Sequence, residues 1–129
     1  MIPKSHVDLL ERPLLAHAAT VGRNGAPQNN PVWFGWDGEF LRFSQVVGRQ
    51  KAKNLQQDPR ISLSIVDPDD PFRYLEIRGL LDGVEDDSDL SFINSMAKRY
   101  LGLERYPWHK AGHHRIVMRI RPIKTTKMG

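Results

Sequence analysis

The run RQKAKNLQQDPRISLSIVDPDDPFRYLEIRG, residues 49–79, decides the fold. Its first part, Arg49 to Gln57, favours helix because long straight-chain residues lose little freedom there. Pro59 stops it, since the residue before a proline is pushed out of the α region. Arg60 to Val66 then alternates, with Ile61, Leu63 and Ile65 against Ser62 and Ser64. That period of two is the mark of a half-buried strand. Asp67 to Pro71 is turn chemistry. Arg73 to Leu81 alternates again, Leu75, Ile77 and Leu81 on one face and Tyr74, Glu76 and Arg78 on the other.

Upstream, Ser5 and Asp8 suggest a capped short helix ending near Glu11, and Pro13 breaks it. Leu14 to Val21, apolar and rich in small residues, reads as a buried strand interrupted only by His17. Gly22 to Pro27 (GRNGAP) is a turn whose Asn-Gly pair suits a primed hairpin. Gln28 to Trp36 reads as a second strand, with Pro31 demanding an edge position or a bulge. Asp37-Gly38 signals another hairpin and Glu39 to Ser44 a third strand, so the first half reads as a three-stranded meander. Gln45 to Gly48 is a loop. Downstream, Asp86, Asp87 and Asp89 crowd the start of a helix and Lys98 and Arg99 its end, as the macrodipole favours. Ile93, Met96, Ala97, Tyr100 and Leu101 form its apolar stripe, and Gly102 is a natural C-cap. After an aromatic loop, Leu103 to Gly112, a last strand runs from His113 to Arg121. Its inner face is Ile116, Met118 and Ile120; His113, Arg115, Val117, Arg119 and Arg121 take the outer one. About six strands and two or three short helices predict a mainly β protein, an antiparallel barrel with helices outside.

Length allows one domain: 129 residues rarely hold two independent cores. The absence of cysteine excludes disulfide scaffolds, iron–sulfur clusters and thiol catalysis. Apolar stretches are too short to span a bilayer, and the N-terminus lacks a signal peptide's basic start and apolar run, so a cytoplasmic protein is expected, without a membrane partner. The formal net charge of +4 permits an anionic ligand. Basic residues are scattered among acids with no aromatic–basic stripe, so nucleic acid is not an expected partner. A chain this small gains by burying apolar surface against a second copy, and a homodimer is expected.

The segment with most chemistry is SQVVGRQKAKNL, residues 44–55. Arg49, Lys51 and Lys53 crowd a helix entry, where the dipole and free N–H groups favour an anion and disfavour cations. Arg49 offers a planar fork and Lys51 a point charge, a pair suited to phosphate. A solvated helix face is the competing reading. Gln28, Asn29 and Asn30 place amides where they could bond the heteroatoms of a planar ring; a strand starting in a polar turn is the simpler account. Trp33, Phe34 and Trp36 cluster, with Trp33 facing opposite to the other two, so at least one tryptophan is expected at a pocket wall or dimer contact. The five histidines show no metal-ligand spacing, and the aspartate clusters lack the glycine and glutamate of a calcium loop. No nucleophile elbow, Walker loop or dinucleotide fingerprint is present. If the protein is an enzyme, a cofactor carries its chemistry; no catalytic side chain is assigned.

Residues 49–79, together with residues 11–44 (ERPLLAHAATVGRNGAPQNNPVWFGWDGEFLRFS), ERYPWHK at 104–110 and RIVMRIRP at 115–122, resemble the flavin/deazaflavin oxidoreductases of the pyridoxamine-phosphate-oxidase-like superfamily. The similarity is greatest to small enzymes that use the deazaflavin coenzyme F420, and it covers essentially the whole chain. It implies an FMN-binding-type split β-barrel with Greek-key-like antiparallel strands, one domain over residues 1–129. It also implies a homodimer with two cofactor sites at the interface. The positions matching the family's cofactor-binding pattern are Gln28, Asn30, Pro31, Val32, Ser44, Arg49, Gln50, Lys51 and Asn54. Arg73, Tyr74, Trp108 and His109 are further candidates for completing the pocket from the other subunit. The sequence departs from the pattern in QVVG, where small hydroxyl residues commonly follow the serine. The implied activity is hydride transfer from reduced F420 to an unsaturated small organic substrate; FMN, or a non-catalytic carrier of F420 or flavin, are the alternatives. Substituting Lys51 by alanine is expected to weaken cofactor binding and spare the fold, as a surface charge contributes little.

Overall fold

The computed structural model describes all residues 1–129. The two alternating segments, Arg60–Val66 and Arg73–Leu81, form its centre: β5 (Arg60–Asp67) and β6 (Asp70–Asp86) are an antiparallel hairpin pairing Leu63 with Ile77 and Ile65 with Leu75. The other strands are β1 (Ala16–Val21), β2 (Pro27–Val32), β3 (Gly35–Trp36), β4 (Leu41–Val46) and β7 (Arg115–Met128). The helices are α1 (Asp8–Glu11), α2 (Gln50–Gln57) and α3 (Ser91–Leu101). All seven strands join one antiparallel sheet in the order β2-β1-β5-β6-β7-β4-β3.

The sheet curls into a split barrel because one strand serves two walls. β6 pairs with β5 along its first half and with β7 along nearly its whole length, and its register with β7 shifts at Arg78/Gly79 and at Leu81/Gly83. Such irregularities bend a strand and increase its twist. At Gly79 a Cβ would stand 2.8 Å from the Arg121 carbonyl oxygen, so the close approach requires glycine. The alternating apolar residues point inward as the period predicts. Ile61, Leu63, Ile65, Leu75, Ile77, Ile116, Met118 and Ile120 are buried together with Phe34, Phe43 and Leu9 and Leu10 of α1.

Several sequence expectations are corrected. The three-stranded meander does not form: β2 ends at Val32, the chain crosses over at Trp33-Phe34, and β4 pairs with β3 and β7 instead of β2. Phe34, fully buried, drives the crossover by turning into the core. Pro31 does sit on an edge strand, as its missing N–H requires. The Asn-Gly turn is not primed: only Gly25 has positive φ (77°), so residues 22–25 form an ordinary turn closed by a left-handed glycine. Ser5 does not cap α1; its Oγ bonds His6 Nδ1 at 2.8 Å. Leu101 lies at the surface, whereas Arg115 and Val117 are buried rather than facing solvent.

The Asp37-Gly38 turn joins β3 to β4. Asp37 Oδ1 accepts the Glu39 and Phe40 N–H groups at 2.8 and 2.7 Å, and Oδ2 pairs with Arg42. These bonds, the Phe40 N–H foremost, lower the Asp37 pKa to about 2. A folded-state value below the unfolded one adds stability that is complete above about pH 4 and disappears as pH falls towards 2. The melting-temperature gap between wild type and Asp37→Asn should therefore be widest near pH 5 and close by about pH 2. A gap independent of pH over that window would show that the charge of Asp37 contributes nothing.

Candidate functional site

Two segments distant in sequence meet at the mouth of the barrel. After β4 the chain turns at Gly48 (φ 93°), and Arg49 becomes the N-cap of α2 with extended backbone. No side chain caps the helix, so the first-turn N–H groups have no acceptor within the chain. α2 is fastened to the edge hairpin by Asn54, which is buried. Its Nδ2 donates to Thr20 Oγ1 at 3.1 Å and Gln28 Oε1 at 3.3 Å, and its Oδ1 accepts Gln50 Nε2 at 2.7 Å. Gln28 and Gln50 are thereby held towards one another from opposite walls.

Lys51 lies between them. It is only 5% exposed, and its Nζ donates to a single protein acceptor, Asn30 Oδ1. No carboxylate pairs with it, and burial pulls its pKa below the usual lysine value. An ammonium removed from water without a counter-ion is costly. Gln28, Asn30, Pro31, Val32, Gln45, Arg49, Gln50 and Lys51 line a cleft of about 390 Å³. It holds two cations and no acid.

The cleft runs into a second chamber of about 370 Å³ that shares Pro31, Val32 and Gln45 with it. Leu15, Trp33, Ser44, Ile93, Met96, Tyr106, Trp108 and Arg115 complete this chamber. Trp33 stacks on Tyr100 with ring centroids 5.1 Å apart, and Tyr106 meets it edge-on at 6.1 Å. Trp108 stands 6.5 Å from Trp33 and 5.6 Å from Tyr106. The Tyr100 hydroxyl donates to the Leu14 carbonyl at 2.6 Å and accepts the Phe34 N–H at 3.1 Å, which fixes the crossover that turns Trp33 outward. Burial raises the Tyr100 pKa, so the phenol stays protonated.

Of the residues singled out from sequence, Gln28, Asn30, Pro31, Val32, Arg49, Gln50 and Lys51 share the cleft; Asn54 braces it from beneath; Ser44 and Trp108 line the chamber. Arg73 and Tyr74 reach neither cavity of their own chain. Arg73 is engaged by Asp8, Asp67 and the Ser5 carbonyl, and Tyr74 pairs in the sheet with Val66 and Met128. His109 lines neither cavity; its ring is 6.0 Å from that of His113. Sequence reasoning missed Leu15, Gln45, Ile93, Met96, Tyr106 and Arg115. Alternation assigned Arg115 to the solvent face, and only the paired strand β4 could have shown otherwise.

The split barrel with its acid-free cationic cleft and aromatic chamber, together with the similarities that follow, supports the flavin- or F420-type oxidoreductase class. The chain belongs to the pyridoxamine 5'-phosphate oxidase family, whose sequence pattern matches residues 2–128. Among solved structures it is similar to one named F420 reductase, with 42% identity, a TM-score of 0.89, and coverage of 97% of this chain and 98% of that one. A conserved protein of Mycobacterium tuberculosis (20% identity, TM-score 0.74, 99% and 85% coverage) has the same fold. So does General Stress Protein 26 of Bacillus anthracis (20%, 0.69, 95% and 89%). No curated protein matches the chain. No helix is long and apolar enough to cross a membrane.

Proposed function

We propose that this chain is a reductase that uses reduced F420 as hydride donor to an unsaturated small organic molecule. The observation that carries the reading is Lys51: a buried ammonium with one amide partner and no carboxylate, beside an uncapped helix N-terminus. The 42% identity to a structure named F420 reductase supports the choice of cofactor. The donor set fits a phosphate. Lys51 supplies a point charge, Arg49 a fork, and the first turn of α2 its free N–H groups. When bound, F420 would supply the hydride. The chain's own residues bind, orient and dry the site. Pro31 and Val32 on β2 offer a flat margin for a tricyclic ring, with the amides of Gln28 and Asn30 beside it. Gln28 is pre-set by Asn54 at 3.3 Å, so it loses little freedom on binding. Trp33, Tyr106 and Trp108 keep water from the adjoining chamber, where the substrate would sit, and positioning rather than nucleophilic attack is the protein's contribution.

The reading includes a homodimer. Phe72, Val84, Ile123 and Met128 of β6 and β7 are exposed apolar side chains that a second copy would cover. The cofactor sites would lie at that interface. Arg73, already ion-paired within its own chain, has no part in the assignment.

FMN carries a phosphate too, and the family pattern favours it as the second reading. Titrating the protein separately with F420 and FMN, and following the fluorescence of Trp33 and Trp108, distinguishes them. F420 should quench at least tenfold more tightly than FMN. The reverse order assigns the site to FMN, and quenching by neither overturns the cofactor reading. Binding of F420 without oxidation of its reduced form, across a panel of unsaturated substrates, would make the protein a carrier.

A further inference from the structure

Arg115 is the one arginine among the buried residues, 7% exposed, and it lines the aromatic chamber. The other arginines of the neighbouring strands have acids. Arg42 pairs with Asp37 and Glu85, Arg119 with Asp82 and Glu85, and Arg73 with Asp8 and Asp67. Arg115 has none. Its Nη1 donates to the neutral Ser44 Oγ at 3.2 Å, its guanidinium lies 4.6 Å from the centre of the Tyr106 ring, and its Nε is buried with no partner. The acids at the end of β6 and just after it are already engaged: the Asp87 carboxylate accepts the Phe92 and Ile93 N–H groups, and Asp86 bonds His114 and Ser88. No acid lines the chamber.

A buried guanidinium that lines a cavity and has no acid of its own calls for an anionic oxygen from outside the chain. The rest of the chamber restricts what carries that oxygen. Trp33, Tyr106 and Trp108 present ring faces and edges, and Met96 and Ile93 close the other side, so a flat apolar body fits. We propose that Arg115 is the anion anchor of this chamber and that the chamber takes a planar, conjugated organic acid. The carboxylate lies on Arg115 and the conjugated body among Trp33, Tyr106 and Trp108. As a statement about substrate, this rests on the reading of the adjoining cleft as the F420 site; as a statement about binding, it does not. Arg115 holds the handle of the molecule, leaving its unsaturated bond towards Pro31 and Val32, the residues that both cavities share. The guanidinium charge strengthens its bond to a carboxylate in a way a neutral isostere cannot match.

The test uses trans-cinnamate and the neutral cinnamyl alcohol as probes, titrated against tryptophan fluorescence with and without F420. Cinnamate should bind at least tenfold more tightly than the alcohol. Arg115→Gln should abolish that preference while leaving the alcohol's affinity unchanged; Arg115→Lys should retain part of it; Lys51→Ala should leave it intact. Equal affinity of the two probes for the wild-type protein overturns the proposal, and that comparison does not depend on any variant folding. So does a preference that survives Arg115→Gln, or an Arg115→Gln variant that loses F420 affinity and keeps its cinnamate preference, which would place the guanidinium on the cofactor. If cinnamate shows the Arg115-dependent preference and F420 does not bind, the cofactor reading falls and the anchor stands.

Discussion

Lys51→Met should make the free protein more stable and bind F420 roughly 30- to 150-fold more weakly, a loss of about 2–3 kcal/mol for a charge-assisted phosphate contact. The two effects have one cause. As a sequence feature Lys51 belongs to a helix entry and reads as a surface charge, but the fold tucks it beneath Asn30, 5% exposed and without a counter-ion. Holding a desolvated ammonium there costs folding free energy, as the lowered pKa of the group records. A methionine of similar length fills the space without that cost, and Asn30, itself exposed, turns its amide to water. The anion that would offset the charge of Lys51 then has nothing to offset. Calorimetry on the free variant and F420 titration by fluorescence measure the two halves. A variant that is less stable and binds F420 like the wild type would mean that the lysine is structural, and the phosphate assignment would fail with it. Lys53, two residues on and exposed on the other side of α2, is the control: Lys53→Met should change neither quantity appreciably.

What could be read from the chain follows from how local its causes are. β5 and β6 were legible because their burial alternates residue by residue, and α2 because Pro59 ends it whatever surrounds it. The cleft was legible because all of its lining but Gln45 falls in two short runs, Gln28–Val32 and Arg49–Asn54, each recognisable by its own chemistry and by resemblance. Long-range causes were not. β6 extends to Asp86 because register shifts at Gly79 and Gly83 allow it to bend past β5 and continue on β7. Nothing in the local pattern of residues 79–86 reports that. The break between β2 and β3 depends on Phe34 finding the core and on Tyr100, sixty-six residues later, bonding its backbone. Arg115 looked outward because alternation assigns each residue a face without saying which faces of the barrel are covered; pairing with β4 puts its side chain beside Ser44. Arg73 is the reverse case. A basic residue near the hallmark run was expected to complete the other subunit's pocket, and within its own chain it is held by Asp8 and Asp67.

Asp87→Ala should cost about 2–3 kcal/mol and lower the melting temperature by roughly 10 °C for a domain of this size. Three aspartates precede α3, and the macrodipole alone would rank them equally. The structure does not. Asp86 and Asp89 are exposed and bond neighbouring Ser88 and Ser91, while Asp87 is 1% exposed and accepts the Phe92 and Ile93 N–H groups at 2.9 and 3.0 Å. Leu90, the residue in the N-cap position, has positive φ (63°) and no side-chain acceptor, so Asp87 performs the cap from three residues upstream. Alanine there leaves two N–H groups without acceptors, one of them buried, and the first turn of α3 should fray. That turn carries Ile93 and precedes Met96, two walls of the aromatic chamber, but contributes nothing to the phosphate cleft. The variant should therefore lose affinity for a chamber ligand such as cinnamate and keep F420 affinity within about threefold, with Asp87→Asn, which keeps one acceptor oxygen, falling between. Amide hydrogen exchange should quicken first at Phe92 and Ile93. Equal losses of both ligands would mean that α3 supports the whole barrel mouth as one cooperative unit, and that cleft and chamber are not separable in the way their linings suggest.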